Sequence, residues 1–167
     1  MNPLPLQDQR HLDAAEGWLG LGDHLSANEE LDQITPELGV HPVVLAVRYQ
    51  VYAKTKNWDG AVEIAGTFVK LLPEKPAAWI SLAYATRRKT GGGIPEAKKI
   101  LLEAESKFPA EYLIRYNLAC YECQLGNLKE AMVWLKRAID LAGSRDIRLR
   151  ALEDEDLQAL WSKIGEI

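Results

Sequence analysis

Cys120-Tyr121-Glu122-Cys123 holds the chain's two thiols. A C-x-x-C spacing suits dithiol redox chemistry or half of a zinc site. Redox use needs a thiolate stabilised at a helix N-terminus. Helical periodicity instead places both cysteines in the C-terminal half of a helix, where the dipole disfavours an anion. Zinc needs two further soft ligands, and the histidines, His11, His24 and His41, all lie in the first quarter of the chain. Both cysteines are therefore read as packing residues. Gly91-Gly92-Gly93 could suggest a phosphate cradle, but no strand precedes it and no Gly-Lys-Ser/Thr follows, so neither nucleotide fingerprint applies. It reads as a lengthened turn. Arg87, Arg88 and Lys89 close a helix, where positive charge complements the macrodipole, and they reach toward a groove that an acidic peptide could enter. Carboxylate pairs occur only in runs such as Glu29-Glu30, and no histidine–acid pair serves a serine or cysteine nucleophile. The sequence predicts no catalytic residue, no cofactor and no metal site.

The bulk properties fit that reading. The chain has 167 residues, 20 basic and 24 acidic groups, and a formal charge of −4, enough length to bury a core in one domain or one short repeat array. A pI near 5.5 argues against nucleic acid, whose binding depends on neutralising phosphates. No apolar run reaches the ~18 residues of a membrane span, and the first ten residues lack a signal-peptide pattern. Two closely spaced cysteines make no disulfide framework, so a reducing cytoplasm is expected. Charge is uneven: residues 1–41 carry eight acidic groups against Arg10 alone, whereas residues 42–111 carry eleven basic and seven acidic groups.

Positioning comes from a repeat. Ala27, Ala61, Ala97 and Ala131 recur at spacings of 34, 36 and 34. Each is followed at four by Leu31, Ala65, Leu101 or Leu135, and at seven by Ile34, Phe68, Ala104 or Ala138. That i, i+4, i+7 pattern is one face of a helix, led by alanine where a neighbouring helix must come close. Turns at Gly22-Asp23, Lys56-Asn57, Thr90 to Pro95 and Gly126-Asn127 precede the helices. Glycine favours the left-handed stop and Asp or Asn the next cap. Pro73 and Pro109 close the middle units, with Gly39 and Gly143 at the same places in the outer ones. The predicted helices are 7–21, 24–36, 42–55, 59–72, 76–89, 95–107, 111–125 and 128–141. Ser144 is expected to cap a short helix to about Leu152, followed by a second with Leu157, Leu160, Trp161 and Ile164 on one face. These pieces would cover the last repeat's apolar side. The acidic run Glu153 to Asp156 falls at that second helix's start, where negative charge is favoured.

Trp79-x-x-Leu82-Ala83-x-x-Thr86, then Ala97-x-x-x-Leu101-x-x-Ala104 and Pro109, resembles the tetratricopeptide repeat. Leu118-Ala119, Gly126, Ala131, Leu135 and Ala138 repeat the match, as do Leu45, Tyr49, Tyr52, Ala61, Phe68 and Pro73. Arg48 stands where the family has leucine. The first unit is degenerate, with Ala14, Ala15 and Trp18 at the packing places. The resemblance implies an all-α, right-handed α-α superhelix of about four helix-turn-helix repeats plus C-terminal capping helices. The expected divisions are an arm at 1–7, repeats at 8–41, 42–75, 76–111 and 112–143, and a cap at 144–167. Leu-Ala-Cys-Tyr followed by an acidic Asp-Leu-x-x-Leu segment is similar to the ending of short bacterial members, which leads us to expect a complete protein.

In that family the first helix of each unit lines a concave groove. Carrying this over gives Ala46, Gln50 and Lys54, then Ile80, Tyr84, Arg87 and Arg88, then Tyr116, Asn117, Cys120 and Gln124. The clamp with which one family subset holds chaperone tails is replaced here by Leu12, Glu16, Val47, Ala77 and Ser81. The expected function is a non-catalytic scaffold binding a peptide or helix of a partner protein, as a monomer or weak homodimer, without nucleic acid or membrane. The alternative is a secretion-type chaperone holding an unfolded client. A thiol enzyme would need a cysteine pKa well below the ordinary value of about 8.5.

Overall fold

The computed structural model describes residues 3–143 and 145–165. Eight helices make four antiparallel hairpins: α1 (Leu6–Leu21) with α2 (His24–Asp32), α3 (Pro42–Lys54) with α4 (Trp58–Leu71), α5 (Pro76–Thr86) with α6 (Ile94–Lys107), and α7 (Tyr112–Gln124) with α8 (Leu128–Ala142). A cap follows: α9 (Arg145–Glu153), a 3₁₀ segment (Glu155–Leu160) and α10 (Trp161–Ile164). Each helix packs on its hairpin partner and on the next unit, the nearest-neighbour pattern of a solenoid. No strand occurs among the described residues.

Ala27, Ala61, Ala97 and Ala131 are completely buried, as the spacing predicts. Gly22, Gly126 and Gly143 take left-handed φ values of 83°, 81° and 60°, and Lys56 occupies the same conformation at 58°. Asp23 caps α2 by accepting from the Ser26 N–H at 3.0 Å, and Asn57 caps α4 by accepting from Gly60 at 3.1 Å. Asn127 departs from that expectation. Its amide donates to Glu122 at 2.8 Å and leaves α8 without a side-chain cap. Glu122 is buried and also pairs with Lys98 at 2.5 Å.

Several helix ends differ in an informative way. The second helix stops at Asp32 rather than 36, because proline at 36 pushes Thr35 out of the helical region. The freed Thr35 N–H donates to the buried Asp8 carboxylate at 2.7 Å; that bond holds Asp8 below the usual carboxylate range. The fifth helix ends at Thr86, and residues 87–89 form a turn instead. A Cβ on Gly92 would lie 2.1 Å from the Thr86 carbonyl oxygen, so the glycine run lets that turn fold against the helix end. Beyond α9 the expected single helix is divided, a 3₁₀ stretch preceding α10, yet Leu157, Leu160 and Ile164 are fully buried as the pattern requires. The expected Ser144 cap lies outside the described residues.

Arg48, at a leucine position, is neither buried bare nor loose. Its guanidinium donates to Asp32 at 2.9 Å and to the Leu31 carbonyl at 3.0 Å, bridging α3 to the first hairpin. An ion pair and a carbonyl hydrogen bond thus hold this position.

Candidate functional site

Helices α3, α5 and α7 present corresponding positions on one face, and the structure treats the two ends of that face differently. On α7 the chain's own C-terminal segment lies across it. The Tyr116 hydroxyl donates to Asp154 at 2.9 Å, the Cys120 thiol lies 3.7 Å from the same carboxylate, and Gln124 donates to the Asp156 carbonyl at 3.0 Å. Arg87, arriving from the end of α5, grips the Asp156 carboxylate with both terminal nitrogens, Nη2 at 2.7 Å from Oδ1. Bidentate guanidinium–carboxylate pairs are among the stronger charge-assisted contacts. Beneath them Leu157 is fully buried.

The segment sets the electrostatics. Burial, with Asp154 and Asp156 alongside, pushes the Cys120 thiol well above its ordinary pKa, and burial alone leads the rise at Cys123. Burial also pushes the Tyr121 phenol up to about 12 and raises Tyr116 further, with Cys120 and Asp154 adding. Asp156, the largest influence on Arg87, holds its guanidinium protonated. Neither cysteine is poised as a nucleophile, since nucleophilic thiols are those with lowered pKa. The Cys120 sulfur and carboxylate oxygens of Asp154 and Asp156 lie within 4.8 Å of one another, a potential ligand set. Arg87 already supplies the positive charge there, and Asp154 accepts from both Tyr116 and the Asp156 N–H.

Farther up the face lies open surface. Gln50 and Lys54 are exposed and Ile80 is half-buried. Tyr84 is 41% exposed and meets Trp58 edge-on at 5.9 Å between centroids. The Arg88 guanidinium stacks 3.5 Å from the Tyr84 centroid. Asn117 is half-buried, its amide turned back to the Leu113 carbonyl at 2.7 Å. The sequence-derived set therefore divides. Gln50, Lys54, Ile80, Tyr84 and Arg88 border open space. Tyr116 and Cys120 are buried under the tail, and Arg87 and Gln124 hold it.

Between α3, α4 and α5 is a hollow of about 420 Å³, floored by Tyr49, Phe68 and Ala78 and edged by Gln50, Lys75 and Ser81. The Tyr49 hydroxyl donates to the Ser81 carbonyl at 3.0 Å, tying the two walls together. Sequence reading named the groove but not this hollow. Its signal was the run of small residues Ala46, Ala77, Ala78 and Ser81 at positions that carry larger side chains one unit later.

The chain matches no protein-family profile and no curated protein. Its fold does match solved structures. A thermophilic TPR protein of Thermus thermophilus aligns over 96% of this chain and 100% of its own, with TM-score 0.67 and 19% identity. A MamA protein aligns over 96% and 88%, with TM-score 0.70 and 17% identity. A MamA RS-1 double mutant aligns over 83% and 77%, with TM-score 0.70 and 17% identity. At identities this low the likeness establishes the fold alone.

Proposed function

We propose that this chain, a solenoid of the tetratricopeptide type, is a non-catalytic scaffold that holds a segment of another protein against α3 and α5. The repeats divide at 8–41, 42–75, 76–111 and 112–143, with the rest as arm and cap. The supporting observation is the open, cationic and aromatic wall at Gln50, Lys54, Tyr84 and Arg88 beside a hollow the chain leaves unfilled. Exposed aromatic and arginine groups carry much of the energy of protein interfaces. The tail covers the α7 part of the face, so the partner's footprint ends near Asn117. Buried free thiols at Cys120 and Cys123 support a reducing cytoplasm. No helix among the described residues is long and apolar enough to cross a membrane.

Replacing Gln50 and Tyr84 together with alanine should weaken partner capture at least tenfold and leave the far-ultraviolet circular dichroism unchanged. Both side chains lie outside the core, so the comparison separates recognition from folding. Unaltered capture would move the interface elsewhere.

A second reading, a chaperone for an unfolded client, is favoured by a different surface. Leu21 and Leu25, 79% and 73% exposed, flank the α1–α2 turn beside exposed Trp18. A chaperone of that kind should keep an aggregation-prone client from scattering light at equimolar ratio, and Leu21→Ser with Leu25→Ser should abolish the effect. No suppression by the unaltered protein sinks this reading.

A further inference from the structure

The hollow between the second and third units has a cause in side-chain size. Ala46 and Gln50 occupy the places that Ile80 and Tyr84 hold one unit later. Opposite them, Ala77, Ala78 and Ser81 correspond to Leu113, Ile114 and Asn117. One unit on, Ile114 is fully buried and Ile80 packs on the core. Small side chains at these places, with Tyr49 and Phe68 standing where the next unit has Ala83 and Ala104, frame a space of about 420 Å³, open at the surface and lined mostly by carbon. An open apolar recess with a few polar groups at its edge is the usual shape of an anchor site.

Charge indicates what enters. Helices α3 and α5 contain no acidic residue. Arg48 is engaged by Asp32, while exposed Lys54 ends α3 and Lys75 stands at the edge of the hollow. The neighbouring α5–α7 junction shows how this face holds a polypeptide. There the tail places a carboxylate, Asp156, on Arg87, while the adjoining Leu157 is fully buried in a segment that packs chiefly on α7.

From these features we infer that the hollow is an anchor pocket for one aliphatic or aromatic side chain of an acidic partner segment, with flanking carboxylates facing Lys75 and Lys54. The inference rests on the groove reading above and adds the partner's chemistry to it. The occupant is a short extended or 3₁₀ segment, acidic residues next to a leucine-sized one, in the manner of the tail itself. Lys75 in the pocket lining and Lys54 one turn beyond Gln50, against exposed Glu74 as the acidic neighbour in sequence, repel a basic segment and raise the encounter rate of an acidic one.

The probe is a fluorescent peptide with the sequence of residues 154–161, three acidic groups and two leucines. It is compared with one peptide carrying lysine at the acidic positions and another carrying serine at the leucines. Both changed peptides should bind at least tenfold more weakly, and binding of the first should fall with added salt. Ala46→Ile with Ala77→Leu refills the hollow with the next unit's own residues and should reduce binding at least tenfold, with unchanged circular dichroism. Amide shifts on peptide addition should centre on Tyr49 and Ser81. Binding to the refilled protein within twofold of wild type, equal binding of the lysine peptide, shifts confined to α7, or no binding by the first peptide each overturns the anchor pocket. The groove reading fails separately, if the Gln50 and Tyr84 variant keeps its partner.

Discussion

Ala131→Trp should melt roughly 5–10 °C below the unaltered protein. Ala131 is completely buried where α8 crosses α7, and those two helices form the most extensive contact in the chain. An indole there has no space: the surrounding Leu118, Ala119, Leu135 and Ala138 are themselves without exposed surface. Overpacking a core costs about 1–3 kcal/mol and sometimes more. For a domain of this size each kcal/mol moves the melting temperature by about 2–4 °C. Val133→Trp on the same helix is the control, because Val133 is exposed, and it should melt within about 1–2 °C of wild type. Thermal melts followed by circular dichroism make the comparison. Equal melting of Ala131→Trp and wild type would mean that the helix register derived from the alanine repeat is wrong.

That register was legible because the chain marks it locally. Proline opens α3 and α5, glycine with left-handed φ closes α1, α7 and α8, and alanine recurs where helices touch. Each signal acts within a few residues, the range over which periodicity and turn chemistry carry information. The path of the tail was not legible for the opposite reason. Arg87 and Asp156 are 69 residues apart, and the run Glu153 to Asp156 looks like any solvated helix start. Nothing local says that Asp154 will meet Tyr116. Helical spacing could assign the groove residues to a face but not their accessibility, because the tail that covers Tyr116 and Cys120 comes from far along the chain. The hollow lay between these cases. It is written in side-chain size, but only when equivalent positions of successive units are compared.

The tail's role as structure leads to the second large effect. Leu157→Ala with Leu160→Ala should lower stability by about 4 kcal/mol or more, since each buried leucine truncated to alanine costs about 2–5 kcal/mol and neither leucine has exposed surface. The same change should free the α7 face. Wild-type Cys120 is covered and its thiol pKa is raised by burial and by Asp154 and Asp156, so iodoacetamide should label it slowly at neutral pH. With the tail released, burial and both carboxylates leave together, the pKa returns toward the ordinary value of about 8.5, and labelling should accelerate at least tenfold. Leu149→Ala, a substitution at an exposed site in α9, should change neither quantity. The pH dependence has a definite sign. A thiol or phenol whose native pKa lies above its unfolded value keeps its proton longer in the folded state, so its contribution is full below the unfolded pKa and is lost as pH rises through the native one. The Cys120 contribution thus begins to fade near pH ~8.5, and those of Tyr116 and Tyr121 near pH ~10. Urea midpoints measured upward from about pH 7 should decline across that window in the wild type and decline less in the double-leucine variant. If Cys120 labels at the same slow rate in both proteins, the tail does not shield α7, and the open part of the groove would have to be drawn again from α3 through α7.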